Sequence, residues 1–377
     1  MEQTKVLIVG AGPAGTTCGL LLKQRNIDCI LIDRATFPRD KICGGGLTPR
    51  SYKLLSRLMP DFRYDYNSVH RLKLCIEGEQ VLDFMMDEEI RIVKRRTFDA
   101  QLLERYQQAG GTFVNDALIG IEESGPQVIV TLKSGRQIAC EYLVGADGAN
   151  SRVRKYLNPH ASHGILCMEQ YGPKSADRSA EGRSLPTGRE NAIVGNLSRF
   201  YRQGYYYSFP NESYDVQGFG DYMTTPQMFR KVLRDMGCPD EKPLGAYIPQ
   251  STEYPLRKNI ILIGDAGGFP QPTDLRRSLL CFPHCQSCGY GYQYGRTLPP
   301  CQQAGIRKQE MGGICLTLLL QRDRSRHPEI LLQDDARTHH MGFQQSSEIR
   351  EKGIVKSEKF LLVMNFVKAS KLERLPL

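Results

Sequence analysis

Lys5-Val6-Leu7-Ile8-Val9-Gly10-Ala11-Gly12-Pro13-Ala14-Gly15 opens a stretch that runs to Arg34, and its reading decides the fold. Val6 to Val9 is a short apolar run of the kind that forms a buried parallel strand. Glycines at 10, 12 and 15 follow at once, and then an apolar-periodic segment with Cys18, Leu20, Leu21 and Leu22. A second run, Cys29-Ile30-Leu31-Ile32, ends in Asp33, 18 residues after the third glycine. A lone GxGxxG is a weak signal. Set between a strand and a helix, with an acid about 20 residues on, it is a dinucleotide fingerprint. Gly10 permits the tight turn, Gly12 lets the backbone approach a pyrophosphate, and Gly15 lets helix and strand pack closely. The helix N-terminus turns its N–H groups to the phosphates, and Asp33 accepts from a ribose 2′-OH. The competing reading, a glycine-rich turn with a chance acid, does not account for the flanking strand and helix.

The 377 residues suggest roughly two domains and are ample for a sizeable core. The apolar share of 40% and charged share of 24% are those of a soluble globular chain, not of a disordered or fibrous one. The N-terminus enters its first strand with no charged-then-apolar leader, and no run reaches the ~18 apolar residues of a spanning helix. The expected location is therefore cytoplasmic, with at most peripheral association at the inner face of the membrane. The net charge of +9 suits anionic lipid surfaces or phosphorylated substrates. It suits a solvated basic surface better, because no Lys/Arg block stands out before the C-terminal third. No nucleic-acid partner is expected. Twelve cysteines in such a chain are expected as reduced thiols.

Beyond Asp33, the loop from Phe37 to Thr48 carries Lys41, Cys43 and three successive glycines, Gly44 to Gly46. Such a backbone can press against a flat ligand, or it can be a flexible surface loop. Residues 51–59 read as a helix, Val69 to Ile92 as alternating strands, and Arg95 onward as an amphipathic helix closed by Gly110-Gly111. Strands are expected at Thr112–Val114, Leu118–Glu122, Val128–Leu132, Gln137–Cys140 and Tyr142–Val144. The last runs into Gly145-Ala146-Asp147-Gly148, again strand, glycine-bearing turn and helix start. Residues 160–250 are rich in strands and aromatics, clearest at Tyr205-Tyr206-Tyr207-Ser208-Phe209-Pro210. Alternation there gives one aromatic face, which lines an apolar pocket or packs on the core; spacing alone favours the core. A helix is expected over Thr224–Met236. Asn259 to Ile263 is another buried strand, breaking into Gly264-Asp265-Ala266. Three strand–turn elements thus place Gly or Asp at a strand's carboxyl end, the edge where open α/β sheets bind cofactors.

These motifs together resemble the geranylgeranyl reductase family, within the p-hydroxybenzoate-hydroxylase-like flavoproteins. The resemblance covers roughly residues 1–273 and rests on the GxGxxG with Asp33, the Pro38-to-Gly46 loop (PxxKxCGGG), Arg95 in RxxFD, Gly145-Ala146-Asp147-Gly148 and Gly264-Asp265-Ala266. It implies an α/β fold: a Rossmann-like FAD-binding domain (1–65, 92–158 and 253–274) with an inserted antiparallel-sheet, α+β substrate domain (66–91 and 159–252). It implies FAD, with Gly10, Gly12, Pro13, Ala14, Gly15, Asp33 and Arg34 at the ADP half. Arg95, Asp147, Gly148, Gly264 and Asp265 would lie along the pyrophosphate and ribityl chain. Cys43, Gly44 and Gly45 would sit near the isoalloxazine and the reacting double bond, with Cys43 a candidate for positioning or proton delivery. Tyr205, Tyr207, Phe209 and Pro210 correspond to a family substrate signature, Tyr-x-Trp-x-Phe-Pro-Lys. The chain departs from that signature at Tyr207 and at Asn211, which removes a candidate phosphate-binding charge. The implied reaction is reduction of an isolated prenyl or lipid-linked C=C by reduced FAD. The electron donor would be NAD(P)H or a reduced ferredoxin-like carrier. The alternatives are an FAD-dependent aromatic monooxygenase of the same fold and an inactive flavin-binding remnant.

The pattern breaks after Asp265. The family's Gly-Glu-Gly/Ala-x-Tyr-Tyr-Ala helix start is missing, and Arg276-Arg277-Ser278-Leu279-Leu280-Cys281 stands in its place. Codons AGG AGA AGC CTA CTA TGC for those six residues, read from the second base, spell Gly-Glu-Ala-Tyr-Tyr-Ala. The expectation is that residues 275–377 are a C-terminal region read one base out of frame and non-native. Taken literally, Cys281, Cys285 and Cys288 have iron–sulfur spacing, but no cluster-binding pattern surrounds them and no metal site is expected. The nucleotide sequence across codons 260 to 320 tests this: the shifted frame should encode the missing motif and a helix beyond it. Stops there would make the tail genuine.

Overall fold

The computed structural model describes residues 1–41, 43–76, 79–159, 164–172, 191–197, 205–221, 225–235, 244–249 and 257–268, with a small pairing of Tyr292–Gln293 and Arg296–Thr297. Residues 275–377, expected to be out of frame, and the Cys281, Cys285 and Cys288 set otherwise lie outside the described residues. Among the described residues no helix is long and apolar enough to cross a membrane. None of the six described cysteines is in a disulfide.

The chain folds as mixed α/β around two sheets. The first contains β1 (Glu2–Val9), β2 (Cys29–Asp33), β6 (Thr112–Asn115), β7 (Leu118–Ser124), β8 (Gln127–Leu132), β9 (Gln137–Gly145) and β15 (Ile260–Leu262). Its order is β6-β2-β1-β9-β8-β7, with β15 also on β9. The strands β6, β2, β1, β9 and β15 are mutually parallel, and Val6 to Ile8 are wholly buried between layers. This is why the run reads as continuously apolar rather than alternating. The helix α1 (Pro13–Lys23) starts on Gly12 with proline at its first position, where the missing N–H costs nothing. Every residue from Pro13 to Leu22 is buried, and small residues let the helix lie close to the sheet. It packs with α3 (Arg95–Gln108) and α2 (Pro49–Leu58) over one apolar cluster. The end of α3 is a Schellman cap: Gly110, at φ +78°, and Gly111 donate to Gln107 O and Tyr106 O.

One expectation changes. Gln137–Cys140 and Tyr142–Val144 are a single nine-residue strand. The exposed Glu141 and half-buried Tyr142 interrupt the pattern where β9 changes neighbours, from β8 to β15. The strand continues because β1 pairs with it along its whole length, from Glu2↔Ile138 to Val9↔Gly145.

The second sheet runs β14 (Leu244–Ile248), β10 (Ile165–Gly172), β13 (Asp215–Asp221), β12 (Tyr205–Pro210), β11 (Ala192–Leu197), β4 (Asn67–Ile76), β5 (Glu79–Ile92) and β3 (Gly46–Leu47). All its pairings are antiparallel except β11 with β4. One face packs on α5 (Pro226–Asp235), where Phe229 and Val232 meet Tyr206, Phe219, Leu166 and Met168. The other face carries Tyr205, Tyr207 and Phe209. Because β3 belongs to this sheet, the loop that begins at Phe37 is anchored to both sheets at once.

Candidate active site

The parallel register brings four strand ends to one edge: Val9 opposite Ile32 and Gly145, and Gly145 opposite Leu262. The turns that follow are stitched together by Gly10 N–H to Ile32 O (2.7 Å), Ala146 N–H to Val9 O (2.7 Å) and Ile263 N–H to Gly145 O (2.9 Å). Gly10 stands at φ +106°, and a β-carbon there would lie 2.4 Å from Ala146 O. At Gly15 it would lie 1.8 Å from Gly10 O. At Gly12 its nearest neighbour would be Arg39 Nη2 at 3.6 Å, so this glycine faces open space at the head of α1.

Asp33 does more than wait for a ribose. Its Oδ2 accepts Ala11 N–H at 2.7 Å and its Oδ1 accepts Ala35 N–H at 2.8 Å. It therefore holds the glycine turn against β2. Arg34 beside it is exposed.

The charge at the head of α1 comes from a cluster that the sequence shows only in part. Asp99, wholly buried, takes a two-pronged ion pair from Arg95 (Nε–Oδ1 and Nη2–Oδ2, both 2.8 Å). Arg39 Nη2 reaches the same carboxylate at 3.3 Å. Arg39 also stacks its guanidinium over Phe37, 4.8 Å from the ring centroid. Burial pulls the Arg39 pKa down and Asp99 opposes the shift. Two guanidiniums on one carboxylate leave a net positive charge beside a helix N-terminus, a combination suited to phosphate. Pro13 and Ala14 form the first turn of that helix. These residues fit the pyrophosphate of a dinucleotide.

Asp147 has local work. Its carboxylate accepts Ser151 Oγ–H (2.5 Å), Arg152 N–H (2.7 Å) and Val153 N–H (3.4 Å), capping α4 (Arg152–Leu157). Gly148, at φ +76°, makes the turn between them. Gly264 and Asp265 form a short 3-10 turn that Arg154 fastens through Ala266 O at 3.1 Å. Lys41 Nζ lies 4.0 Å from Asp265 Oδ2, tying the Phe37–Thr48 loop to this turn.

The same loop meets the aromatic face of the second sheet. A β-carbon on Gly44 or on Gly46 would each come within 2.9 Å of the Phe209 ring, and one on Gly45 within 2.2 Å of Val93 O. Cys43 is half-buried, and its Sγ accepts Gly45 N–H at 3.5 Å. Tyr205, Tyr207 and Phe209 form a ladder with ring centroids 5.8 and 5.5 Å apart. Asn211 is buried in the turn after Pro210, where its Oδ1 accepts Glu212 N–H at 2.9 Å, which explains a small amide there. The structure thus brings the Gly10–Gly15 turn, Asp33, Arg95, Asp147 and Asp265 to one sheet edge. It brings Gly44 and Gly46 to the aromatic ladder. Sequence reasoning missed Arg39 and Asp99 as partners of Arg95, and it missed Glu169. The carboxyl of Glu169 accepts the Tyr207 hydroxyl and the Gly44 N–H. Its signal was an acid inside an otherwise uncharged strand.

Comparison with known proteins agrees with this geometry. Residues 3–166 match an FAD binding domain family. An uncharacterized protein of Methanosarcina barkeri is 28% identical over 293 residues, covering 71% of this chain and 69% of that one. A geranylgeranyl diphosphate reductase of Rhodobacter capsulatus is 26% identical over 291 residues, with coverage of 71% and 69%. A menaquinone reductase of Mycobacterium tuberculosis is 30% identical, but the match spans only 41% of this chain and 40% of that protein. Among solved structures, a geranylgeranyl bacteriochlorophyll reductase-like protein of Thermoplasma acidophilum shares the fold at TM-score 0.60 and 17% identity, covering 73% and 74% of the two chains. The halogenase PltM in complex with phloroglucinol and FAD does so at 0.61 and 16%, covering 75% and 68%. The comparisons thus show an FAD binding domain over residues 3–166 and distant relatives named geranylgeranyl diphosphate reductase.

Proposed function

We propose that the chain reduces isolated carbon–carbon double bonds of a prenyl or lipid-linked substrate. The observation that carries this reading is the seating of Phe209 against Gly44 and Gly46, which sets an apolar aromatic face beside the glycine loop. Bound FAD, once reduced by NAD(P)H or a ferredoxin-like carrier, supplies the hydride. The Gly10–Gly15 turn with Arg39 and Arg95 holds the pyrophosphate, and the side-chain-free Gly44–Gly46 segment offers a flat seat to a ring. Tyr205, Tyr207 and Phe209 exclude water and orient an apolar chain, which brings the reacting carbons to a fixed distance. The name of the Rhodobacter relative supports a geranylgeranyl-type substrate. A substrate of this kind would draw the protein to a membrane surface. The test is anaerobic mixing of dithionite-reduced, FAD-loaded protein with a geranylgeranylated lipid. Reoxidation of the flavin with a gain of two hydrogens in the lipid is the expected result. Oxygen-dependent consumption of NAD(P)H with hydroxylation of an aromatic compound, and no alkene loss, would overturn the reading in favour of a monooxygenase.

A further inference from the structure

Glu169 is an acid in the middle of a strand whose other residues are uncharged. It stands opposite Gly218 on β13, and Gly218 stands opposite Tyr207 on β12. A β-carbon on Gly218 would lie 2.2 Å from Cζ of Tyr207, so the absent side chain is what lets the tyrosine ring cross one strand and reach the acid. There the Tyr207 hydroxyl donates to Glu169 Oε1. The Gly44 N–H of the glycine loop donates to the same carboxyl. The carboxyl is therefore clamped between the aromatic sheet face and the glycine loop. Glu169 lies deep in the protein yet keeps part of its surface open.

We infer that Glu169 is the acid that delivers the proton in this site, and that Tyr207 is the residue that positions it. The assignment rests on the alkene reduction proposed above. In that reaction one alkene carbon takes a hydride, two electrons with it, from reduced flavin. The other carbon takes H⁺ from the Glu169 O–H as the π bond breaks. The flavin is oxidised, the alkene is reduced, and Glu169 is left as a carboxylate that water reprotonates.

The surroundings suit an acid that must hold a proton and then give it up. Burial pushes the Glu169 carboxyl up to about 7, against the Tyr207 hydrogen bond, the charges of Arg95 and Lys41, and the Gly44 N–H, which all favour ionisation. Among the described residues Tyr205, Tyr171 and Cys43 also face the pair. Sign follows from direction: a carboxyl raised this far is protonated below about pH 7 and lost as a donor above it. The two hydrogen-bond donors and two cations then stabilise the carboxylate that proton delivery creates.

The full chain tests this in two ways. An infrared pH titration of the wild type should show a protonated-carboxyl C=O band that disappears with a midpoint near 7, absent from Glu169→Gln. In anaerobic single turnovers with a geranylgeranylated lipid, alkene reduction should fall tenfold per pH unit above that midpoint. Glu169→Gln should slow it by about 10²–10⁴-fold and flatten the profile, with flavin reduction by dithionite unchanged. Tyr207→Phe, the second arm, removes a donor that favours the carboxylate and should move both midpoints to higher pH, a shift that a purely structural tyrosine would not cause. Alkene reduction by Glu169→Gln at the wild-type rate and with the wild-type profile would overturn the role alone. Failure of the wild type to reduce any alkene would overturn the reduction and this role together, even with the infrared band present.

Discussion

Gly15→Ala protein is expected to purify without FAD and to lose about 3 kcal/mol of stability, at the upper end of what overpacking a close contact costs. The added methyl would sit 1.8 Å from Gly10 O, 3.1 Å from Gly10 C and 3.2 Å from the Ala146 β-carbon. No rotamer relieves a β-carbon, and the first two obstacles are backbone. Gly10 itself cannot retreat, because it stands at φ +106° with its own hydrogen bond to Ile32 O. The strain therefore moves the head of α1 away from β1 and opens the phosphate cradle. Visible absorbance of the purified protein and a urea titration check the two halves of the prediction. Retention of a full complement of flavin with an unchanged urea midpoint would show that the turn is not built as described.

The second large effect is expected at Asp99. Replacement by alanine should destabilise the protein by about 3–5 kcal/mol, the usual consequence of breaking a buried ion pair from one side. Asp99 is wholly buried and accepts both prongs of Arg95 as well as Arg39, so its loss removes the carboxylate that two guanidiniums share. The double variant Asp99→Leu with Arg95→Met should recover most of that stability, since a well-packed apolar pair of similar volume is often neutral or better. Its net charge at the head of α1 is unchanged, Arg39 alone now carrying it, but it should still bind FAD more weakly because the Arg95 guanidinium donors and the anchor that holds Arg39 are gone. Equal FAD affinity in the double variant would mean that the cluster serves packing alone.

How legible each of these was in the sequence depends on how far apart its parts lie. Arg95 and Asp99 are four residues apart on a helix, and their pairing can be expected from spacing. Arg39 joins them from a loop on the other side of three strands and a helix, and nothing in its neighbourhood announces a buried partner. The alternation in Tyr205-Tyr206-Tyr207-Ser208-Phe209 divides the aromatics between two faces, as expected of a strand. It does not say which face meets α5 and which meets the glycine loop. The break at Glu141 suggested two strands where one exists, because side-chain pattern reports burial and the partner that holds β9 straight is invisible in it.

The Gly10–Gly15 turn was written into the sequence. Backbone dihedrals and the approach of one main chain to another are local demands, met only by residues without a side chain, and they recur wherever a strand turns into a helix over a phosphate. The meeting of Glu169, Gly218, Tyr207 and Gly44 was decided by the tertiary structure alone. It depends on the order of three strands, their register, and a loop that begins in one sheet and ends in the other, with Gly44 and Glu169 far apart along the chain. Desolvation, the largest influence on the Glu169 carboxyl, exists only once those pieces have closed around it.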